Sequence, residues 1–190
     1  MNPPSNSEEF DRAYRAPITF WGDVRIPAEV KALAQGRAGQ SALELGCGVG
    51  RFSHYLSQQG MRVTGVDFSP VAIAKAQQRA AHSGVTAQFL VADVTHLEAL
   101  SPAFDVGFDV GCFHCLPPHA QRSYASEMLR LLAPGATHVI WAMDGAPSGE
   151  RLSPASVEAV FAPHFKRVDA RSSRLRFARS HWYGLRAPRV

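Results

Sequence analysis

From residue 41 onward, short apolar runs alternate regularly with longer stretches in which apolar residues recur at helical spacing. The runs that predict five β-strands are SALEL, MRVTGV, TAQFLVA, FDVGFDV and THVIWAM. The stretches between them predict helices over 49–59, 69–84 and 117–135, a short helical segment around 95–100, and a further helix after Ser153. Ser69 and Pro70 are typical of a helix start, and Gly84 is typical of a helix end.

The two ends of the chain have a different pattern. The first 26 residues predict a loop-rich, aromatic segment, after which Pro27 begins a helix that ends near Gly36. The last two strand candidates are KRVDARSS and RFARSHWYGLRA. No helix separates them, so we expect an antiparallel hairpin at the edge of the sheet.

Strands that alternate with helices predict an α/β fold with a parallel sheet covered on both faces. Because crossover connections are right-handed, the expected architecture is a doubly wound, Rossmann-like sheet. With the hairpin added, this sheet has seven strands, most of them parallel. The sequence contains no internal repeat or linker, so we expect residues 1–190 to form a single domain.

Composition is that of a globular protein, since 46% of the residues are hydrophobic and 19% are charged. The three cysteines are too few and odd in number for a disulfide framework, which favours a cytoplasmic location. Neither a signal peptide nor an apolar run long enough for a membrane span is found, so we expect no membrane association.

The net charge of +4 comes from a chain whose basic residues are nearly all arginine. Basic residues are concentrated between Lys166 and Arg189, where they alternate with apolar residues. This pattern indicates the solvated face of a strand or, alternatively, a patch for phosphate or for an acidic partner.

The turn after the first predicted strand carries three glycines, Gly46, Gly48 and Gly50. Asp67 ends the second strand, and Asp93 with Val94 ends the third. In a doubly wound sheet these strand ends meet at the ligand-binding edge. Asp67 can accept both hydroxyls of a ribose, and Asp93 can accept an amino hydrogen of an adenine. Taken singly, the turn can be only a tight turn and each aspartate only a strand-end carboxylate or helix cap.

A nicotinamide dehydrogenase is the alternative explanation of the glycine turn. Its motif is G-x-G-x-x-G, whereas Arg51 stands here three residues after Gly48 and the third glycine is Gly50. The position of Asp93 and the predicted terminal hairpin also disfavour this alternative.

Over residues 41–190, the motifs ALELGCGVGR, VTGVDFSP, VADV, FDVGFDVGCFHCLP and LAPGATHVIWAM resemble the class I S-adenosylmethionine-dependent methyltransferases. The resemblance implies a cofactor-binding core over 41–190 and a lid or helical cover over 1–36. The segment RAPITFWGD resembles the small-molecule branch, which includes thiopurine, tellurite-resistance and heterocycle methyltransferases.

The resemblance also implies a cofactor site. Gly46, Gly48 and Gly50 border the methionine part of S-adenosyl-L-methionine, Asp67 holds the ribose, and Asp93 and Val94 hold the adenine. The remaining candidates for this site are Glu44, Cys47, Phe68, Cys112, Tyr14 and Trp21. For Tyr14 and Trp21, packing within an N-terminal cover is the alternative to a lid over the site.

His114 is the first candidate for acid–base catalysis, because it follows the fourth strand where the methyl acceptor is expected and imidazole titrates near neutral pH. Hydrogen bonding to the loop or to the cofactor is its alternative role. Asp109 and His119 are second candidates, and Asp109 can instead anchor the loop backbone. Cys112, Cys115 and the two histidines also suggest a zinc site, but Pro117 and Pro118 bend the chain there, so we expect no metal.

These observations predict methyl transfer to an N, O or S nucleophile of a small, aromatic or heteroaromatic molecule, with S-adenosyl-L-homocysteine as the product. The alternatives are a non-catalytic module that binds the cofactor and a nucleic-acid methyltransferase. We expect a small-molecule acceptor as partner, no nucleic acid, and a monomer or homodimer.

Overall fold

The structure is a computed structural model that describes residues 6–16, 25–145, 152–173, 175 and 179–189. Within them a single sheet is formed by β1 (Ser41–Leu45), β2 (Arg62–Asp67), β3 (Gln88–Val91), β4 (Phe104–Val110), β5 (Leu132–Met143), β6 (Lys166–Ser173) and β7 (Ser180–Arg186). The strand order is β3-β2-β1-β4-β5-β7-β6. The first five strands are parallel, and β7 runs antiparallel to both β5 and β6. The predicted fold class, with its terminal hairpin, is confirmed.

The helices are α1 (Ser7–Arg15), α2 (Ala28–Ala34), α3 (Arg51–Gln58), α4 (Pro70–Ser83), α5 (Pro118–Leu131) and α6 (Pro154–Phe161). The predicted helix ends have the expected chemistry: the Ser69 hydroxyl accepts a hydrogen bond from the Ala72 amide, and Gly84 ends α4 with a φ of 66°. Ser153 forms a capping box with Ser156 at the start of α6. Among the described residues, no helix combines the length and the apolar character that a bilayer span requires.

The sheet is buried on both faces because side chains alternate along each strand. Leu43 and Leu45 pack with α5 and α6 on one face. Ala42 on β1 and Phe108 on β4 pack with α2 and α3 on the other face. The carboxyl ends of the parallel strands therefore form one rigid edge, on which the loops are placed.

The prediction of loops at the N-terminus was wrong for residues 7–15, which form α1. The Asn6 side chain accepts a hydrogen bond from the Glu9 amide at 3.0 Å, and the first turn is acidic while the last turn is basic. Both features favour the helix through its caps and its dipole.

The predicted helix around 95–100 was also wrong, since this segment forms turns. Its backbone is held from α5: the Leu97 amide donates to the Glu127 carboxylate, and the Arg130 guanidinium donates to the carbonyls of Leu97 and Leu100. These tertiary hydrogen bonds replace the ones that a helix would make internally.

The helix predicted over 117–135 ends earlier, at Leu131. Leu132 pairs with Phe104 of β4, and the Gly135 amide donates to the Pro188 carbonyl at 3.0 Å. The backbone therefore changes from helical to sheet hydrogen bonding before the Pro134-Gly135 turn.

Candidate functional site

The sheet reverses its strand order between β1 and β4, and the loops that follow these two strands touch at the carboxyl edge. At Gly46 a Cβ atom would lie 2.5 Å from the Cβ of Cys112, and the φ of Gly46 is 64°. Only glycine fits both conditions without strain. A crevice at such a reversal is the usual ligand site of this architecture.

Glu44 is buried directly before the glycine turn and connects β1 to α3. Its carboxyl group accepts hydrogen bonds from the amide of Ser53, at 2.8 Å, and from the Ser53 hydroxyl. Burial raises the pKa of Glu44 to about 8, so this group is largely protonated at neutral pH. These contacts support a role for Glu44 in orienting the turn.

Asp67 joins the glycine turn to the end of β2. One of its carboxylate oxygens accepts a hydrogen bond from the Gly48 amide at 2.8 Å, and the other accepts one from the Ser69 amide at 2.9 Å. Asp67 is 2% exposed, and burial raises its pKa. Since each carboxylate oxygen can accept about two hydrogen bonds, Asp67 keeps acceptor capacity for two more.

Beyond β3, the side chain of Asp93 is 63% exposed. Its Oδ1 accepts hydrogen bonds from the amide and the hydroxyl of Thr95, and its Oδ2 lies 3.9 Å from the Nδ1 atom of His96. Val94 packs into the core instead of lining a surface. The exposed large hydrophobic residues of the described chain all lie at this end of β2 and β3: Phe68, Leu90 and Val91.

Helix α1 covers the glycine turn. Tyr14 is 6% exposed, and a Cβ atom at Gly48 would lie 2.9 Å from the Tyr14 hydroxyl oxygen. Lys75 of α4 donates a hydrogen bond to the Tyr14 carbonyl. Trp21, the other aromatic residue assigned to a lid, lies outside the described residues.

The same helix also covers the loop after β2. The Ser69 hydroxyl donates a hydrogen bond to the Asp11 carboxylate, and the ring of Phe10 packs edge-on against Phe68 at 5.3 Å. The negative charge of Asp11 contributes to the raised pKa of Asp67. Together these contacts close off Asp67 from solvent.

Asp109 is fully buried at the end of β4 and holds the loop that follows. Its carboxylate accepts hydrogen bonds from the amides of Gly111, Cys112 and Phe113, at 2.7–2.8 Å, and from the Tyr124 hydroxyl at 3.2 Å. Burial raises its pKa to about 6 despite these donors. With four donors and no exposed surface, Asp109 matches the anchoring role considered for it and has no direct access to an acceptor.

The two histidines proposed for catalysis lie in different surroundings. His114 is 3% exposed, and its ring packs edge-on against Trp141. Its Nδ1 accepts a long hydrogen bond of 3.5 Å from the Met143 amide. His119 is exposed on the first turn of α5. Among the described residues, no group of three or more His, Cys, Asp or Glu side chains is arranged to hold a metal ion.

Comparison with known proteins decides which family this edge of the sheet belongs to. Residues 42–135 match the model of a family described as a methyltransferase domain, and they include the glycine turn, Asp67, Asp93 and Asp109. Residues 42–135 form a methyltransferase domain of the class I S-adenosylmethionine-dependent family.

One curated relative of this methyltransferase is the 2-heptyl-1-hydroxyquinolin-4(1H)-one methyltransferase of Mycobacteroides abscessus. The two sequences are 31% identical over 121 residues, which are 63% of this chain and 53% of the relative. The chain therefore spans about half the length of that protein.

Two solved structures share the fold over nearly the whole chain. The N-methyltransferase NodS of Bradyrhizobium japonicum, solved with S-adenosylhomocysteine, has a TM-score of 0.81 at 20% identity and covers 97% of this chain and 100% of its own. A protein studied for the conversion of a disulfide bond into a thioacetal group during echinomycin biosynthesis has a TM-score of 0.83 at 24% identity, with coverages of 96% and 92%. At these identities the likeness shows the fold.

The residues at this edge of the methyltransferase fit S-adenosylmethionine, the cofactor of the family. The turn at Gly46 and Gly48 carries no side chains of its own and lies against Cys112 and Tyr14, and Asp67 has spare acceptor capacity. Phe68, which is 40% exposed, and Val91 offer an apolar surface of the kind that an adenine ring covers.

Two elements of the site were missed in the sequence. The hydrophobic pattern predicted loops where α1 lies, although the Asn6 cap and the i, i+4 spacing of Phe10 and Tyr14 carried a usable signal. The role of Tyr124 left no signal in the sequence, because its hydroxyl is brought to Asp109 only by the packing of α5 against β4.

Proposed function

We propose that this chain transfers a methyl group from S-adenosylmethionine to an N, O or S nucleophile of a small aromatic or heteroaromatic molecule. The observation that carries the proposal is the convergence of the glycine turn, Asp67 and Asp93 at the ends of three adjacent strands. The name of the curated relative, a hydroxyquinolone methyltransferase, supports an aromatic acceptor. The sulfonium group supplies an already activated methyl group when the cofactor is bound.

In this proposal the glycine turn holds the methionine part, Asp67 accepts the ribose hydroxyls, and Asp93 accepts the adenine amino group. Asp67 is 2% exposed beneath α1, so this helix must move for the cofactor to enter. When α1 returns, Tyr14 and Phe10 exclude water from the site, which strengthens the hydrogen bonds of Asp67.

The acceptor then lies on the other side of the strand reversal, over β4 and β5. This assignment follows because the adenosine part occupies the ends of β2 and β3. On the loop after β4, Cys112 contacts the glycine turn at Gly46, and the ring of His114 packs against Trp141 of β5. The protein contributes alignment of the reacting atoms and a dry pocket.

His114 has two possible proton roles that the geometry separates. While its Nδ1 accepts from the Met143 amide, the neutral ring carries its proton on Nε2 and acts as a hydrogen-bond donor. Acceptance of a proton at Nδ1 requires that this 3.5 Å contact opens. His114→Ala should slow the reaction of a protonated acceptor by about 10²- to 10⁴-fold if His114 removes its proton, and should affect an acceptor that is already anionic much less. Equal losses with both acceptors would leave His114 as a shaping residue.

The proposal is tested by two measurements on the purified chain. Calorimetric titration should show binding of S-adenosylhomocysteine, and Asp67→Ala should weaken it about tenfold or more, because hydrogen bonds to a carboxylate contribute about 1.5–3 kcal/mol each. Glu98→Ala is the matched control, since Glu98 is exposed and interacts with Arg130 in the last turn of α5. An unchanged affinity in Asp67→Ala would remove Asp67 from the site.

The second measurement is transfer of a labelled methyl group to a panel of hydroxyquinolones, phenols, amines and thiols. Turnover of an aromatic acceptor is the expected result. Cofactor binding without turnover of any acceptor would instead support a non-catalytic module.

Nucleic acid is the second candidate acceptor, favoured by the exposed basic residues of β6 and β7. Lys166 and Arg186 lie opposite each other on β6 and β7. Their like charges repel each other, and an anion bound between them would relieve this repulsion. A mobility shift on RNA or DNA that weakens steeply with salt would favour this candidate over the small molecule.

A further inference from the structure

A buried chain of three polar side chains runs from the loop after β4 to the centre of β5. The Tyr124 hydroxyl donates a hydrogen bond to Asp109 at 3.2 Å and lies 3.1 Å from the Nε2 atom of His138. Tyr124, Asp109 and His138 are all 0% exposed. While Asp109 is ionised, the hydroxyl proton of Tyr124 is directed to it, and we assign His138 the tautomer that donates its Nε2 proton to the Tyr124 oxygen.

We propose that Tyr124, supported by His138, is a positioning residue for methyl transfer: it holds the Asp109 carboxylate, and through it the loop that carries Cys112 and His114, in the arrangement that the acceptor needs. The proposal rests on the proposed function, since it concerns the acceptor side of that site. Tyr124 itself lies within the core and touches none of the reacting groups.

Three backbone amides hold the loop after β4 to Asp109. Gly111, Cys112 and Phe113 each donate a backbone hydrogen bond to Asp109, and together these bonds define the turn. A neutral carboxyl group is a much weaker acceptor than a carboxylate. The loop is therefore held more firmly while Asp109 is ionised, and the Tyr124 hydroxyl is the one side-chain donor among the four that favour this state.

The charges around Asp109 allow this ionisation to be observed. Burial raises the pKa of Asp109 to about 6. Glu44 faces it from β1 and has a pKa of about 8, and the neighbouring Cys112 thiol has a pKa well above its ordinary value. Burial lowers the pKa of His138 to about 4. Between pH 5 and pH 7, Asp109 thus changes charge while Glu44, Cys112 and His138 largely keep theirs. Burial also raises the pKa of the nearby Asp67, but the Tyr124 hydroxyl donates to Asp109, so a change caused by Tyr124→Phe reports on Asp109.

Two expectations follow. The methyl-transfer rate should fall on the acid side of about pH 6, and removal of the Tyr124 hydroxyl should move this acid limb to higher pH. The second change follows because Asp109 loses one of the donors that lower its pKa.

The experiment compares Tyr124→Phe with Tyr55→Phe, a control on the partly exposed surface of α3. For Tyr124→Phe we expect kcat at pH 7 to fall by about tenfold, as for the loss of one hydrogen bond to a charged group. The acid limb should rise by about one pH unit, and the affinity for S-adenosylhomocysteine should change by less than about twofold. His138→Leu should move the acid limb in the same direction by a smaller amount. His138→Gln keeps a hydrogen-bond donor, so its rate should lie closer to the wild-type rate than that of His138→Leu.

Hydrogen exchange supplies a measurement that does not depend on turnover. The amides of Gly111, Cys112 and Phe113 should exchange faster in Tyr124→Phe than in the wild-type protein at pH 7, and the wild-type amides should lose protection below about pH 6 relative to core amides. If no acceptor is turned over but this exchange pattern is found, the proposed function fails while the positioning role stands. An unchanged acid limb together with unchanged exchange in Tyr124→Phe and His138→Leu would overturn the inference.

Discussion

The contact between the loops after β1 and β4 can be tested by adding a single methyl group. Gly46→Ala introduces a Cβ atom that would lie 2.5 Å from the Cβ of Cys112, at a residue whose φ is 64°. Gly84→Ala is the matched control, because Gly84 has a φ of 66° and nothing within 4 Å of the added atom. The two variants share the backbone strain, and only the first adds the collision.

The expected free energies of unfolding follow from these two contributions. A left-handed conformation at a residue other than glycine costs about 1–2 kcal/mol, which is the whole loss expected for Gly84→Ala. An extra methyl group in a packed region costs about 1–3 kcal/mol more. Gly46→Ala should therefore be less stable than Gly84→Ala by that second amount, because Cys112 is fixed by the Asp109 hydrogen bonds and cannot simply turn away.

Urea denaturation measures the stability difference, and calorimetry with S-adenosylhomocysteine measures its consequence for the site. Gly46→Ala should weaken binding about tenfold or more, while Gly84→Ala should leave it unchanged. The double variant Gly46→Ala with Cys112→Gly removes the colliding atom, since the next contact is the Cys112 Cα at 3.6 Å, and should recover most of the added cost. Equal stability of the two single variants, or no recovery in the double variant, would refute this account of how the two loops meet.

Two further predictions concern Glu44 and the helical cover. Because the pKa of Glu44 is raised to about 8, the folded protein binds a proton that the unfolded chain releases, so the free energy of unfolding should fall by about 2 kcal/mol as the pH rises from 6.5 to 8. Glu44→Gln should flatten this dependence in denaturation at several pH values, and an equal slope in both proteins would contradict it. Asp11→Ala removes the partner of the Ser69 hydroxyl, so trypsin should cut faster at Arg12 and Arg15 of α1, and S-adenosylhomocysteine should slow cutting of the wild-type protein. Identical cutting with and without ligand would show that α1 is static packing.

The alternation of strands and helices was visible in the sequence because it depends on local chemistry. Ser69 and Gly84 fix the ends of α4 through hydrogen bonds and backbone conformations that lie within a few residues. The hydrophobic pattern of β1 through β5 follows from burial on both faces. For the same reason the positions of Asp67 at the end of β2 and of Asp93 just beyond β3 could be predicted.

Long-range hydrogen bonds account for the errors in the strand and helix assignments. The segment around 95–100 has helical spacing, but α5 satisfies its backbone through Glu127 and Arg130. The end of α5 was misplaced because Leu132 finds a sheet partner in Phe104, which lies far away in sequence. The local sequence pattern gives no indication of either contact.

The same division holds for the site. The sequence by itself determined the fold class, the glycine turn and the acidic strand ends, because steric limits on backbone angles and the side-chain periods of helix and strand act within short stretches of chain. Only the tertiary structure decided that α1 closes over Asp67, that Asp109 anchors a loop, and that Tyr124 and His138 stand behind it. Those assignments depend on which side chains become buried next to one another, and burial is a property of the packed molecule. For Asp109, burial raises the pKa and makes its hydrogen bonds necessary.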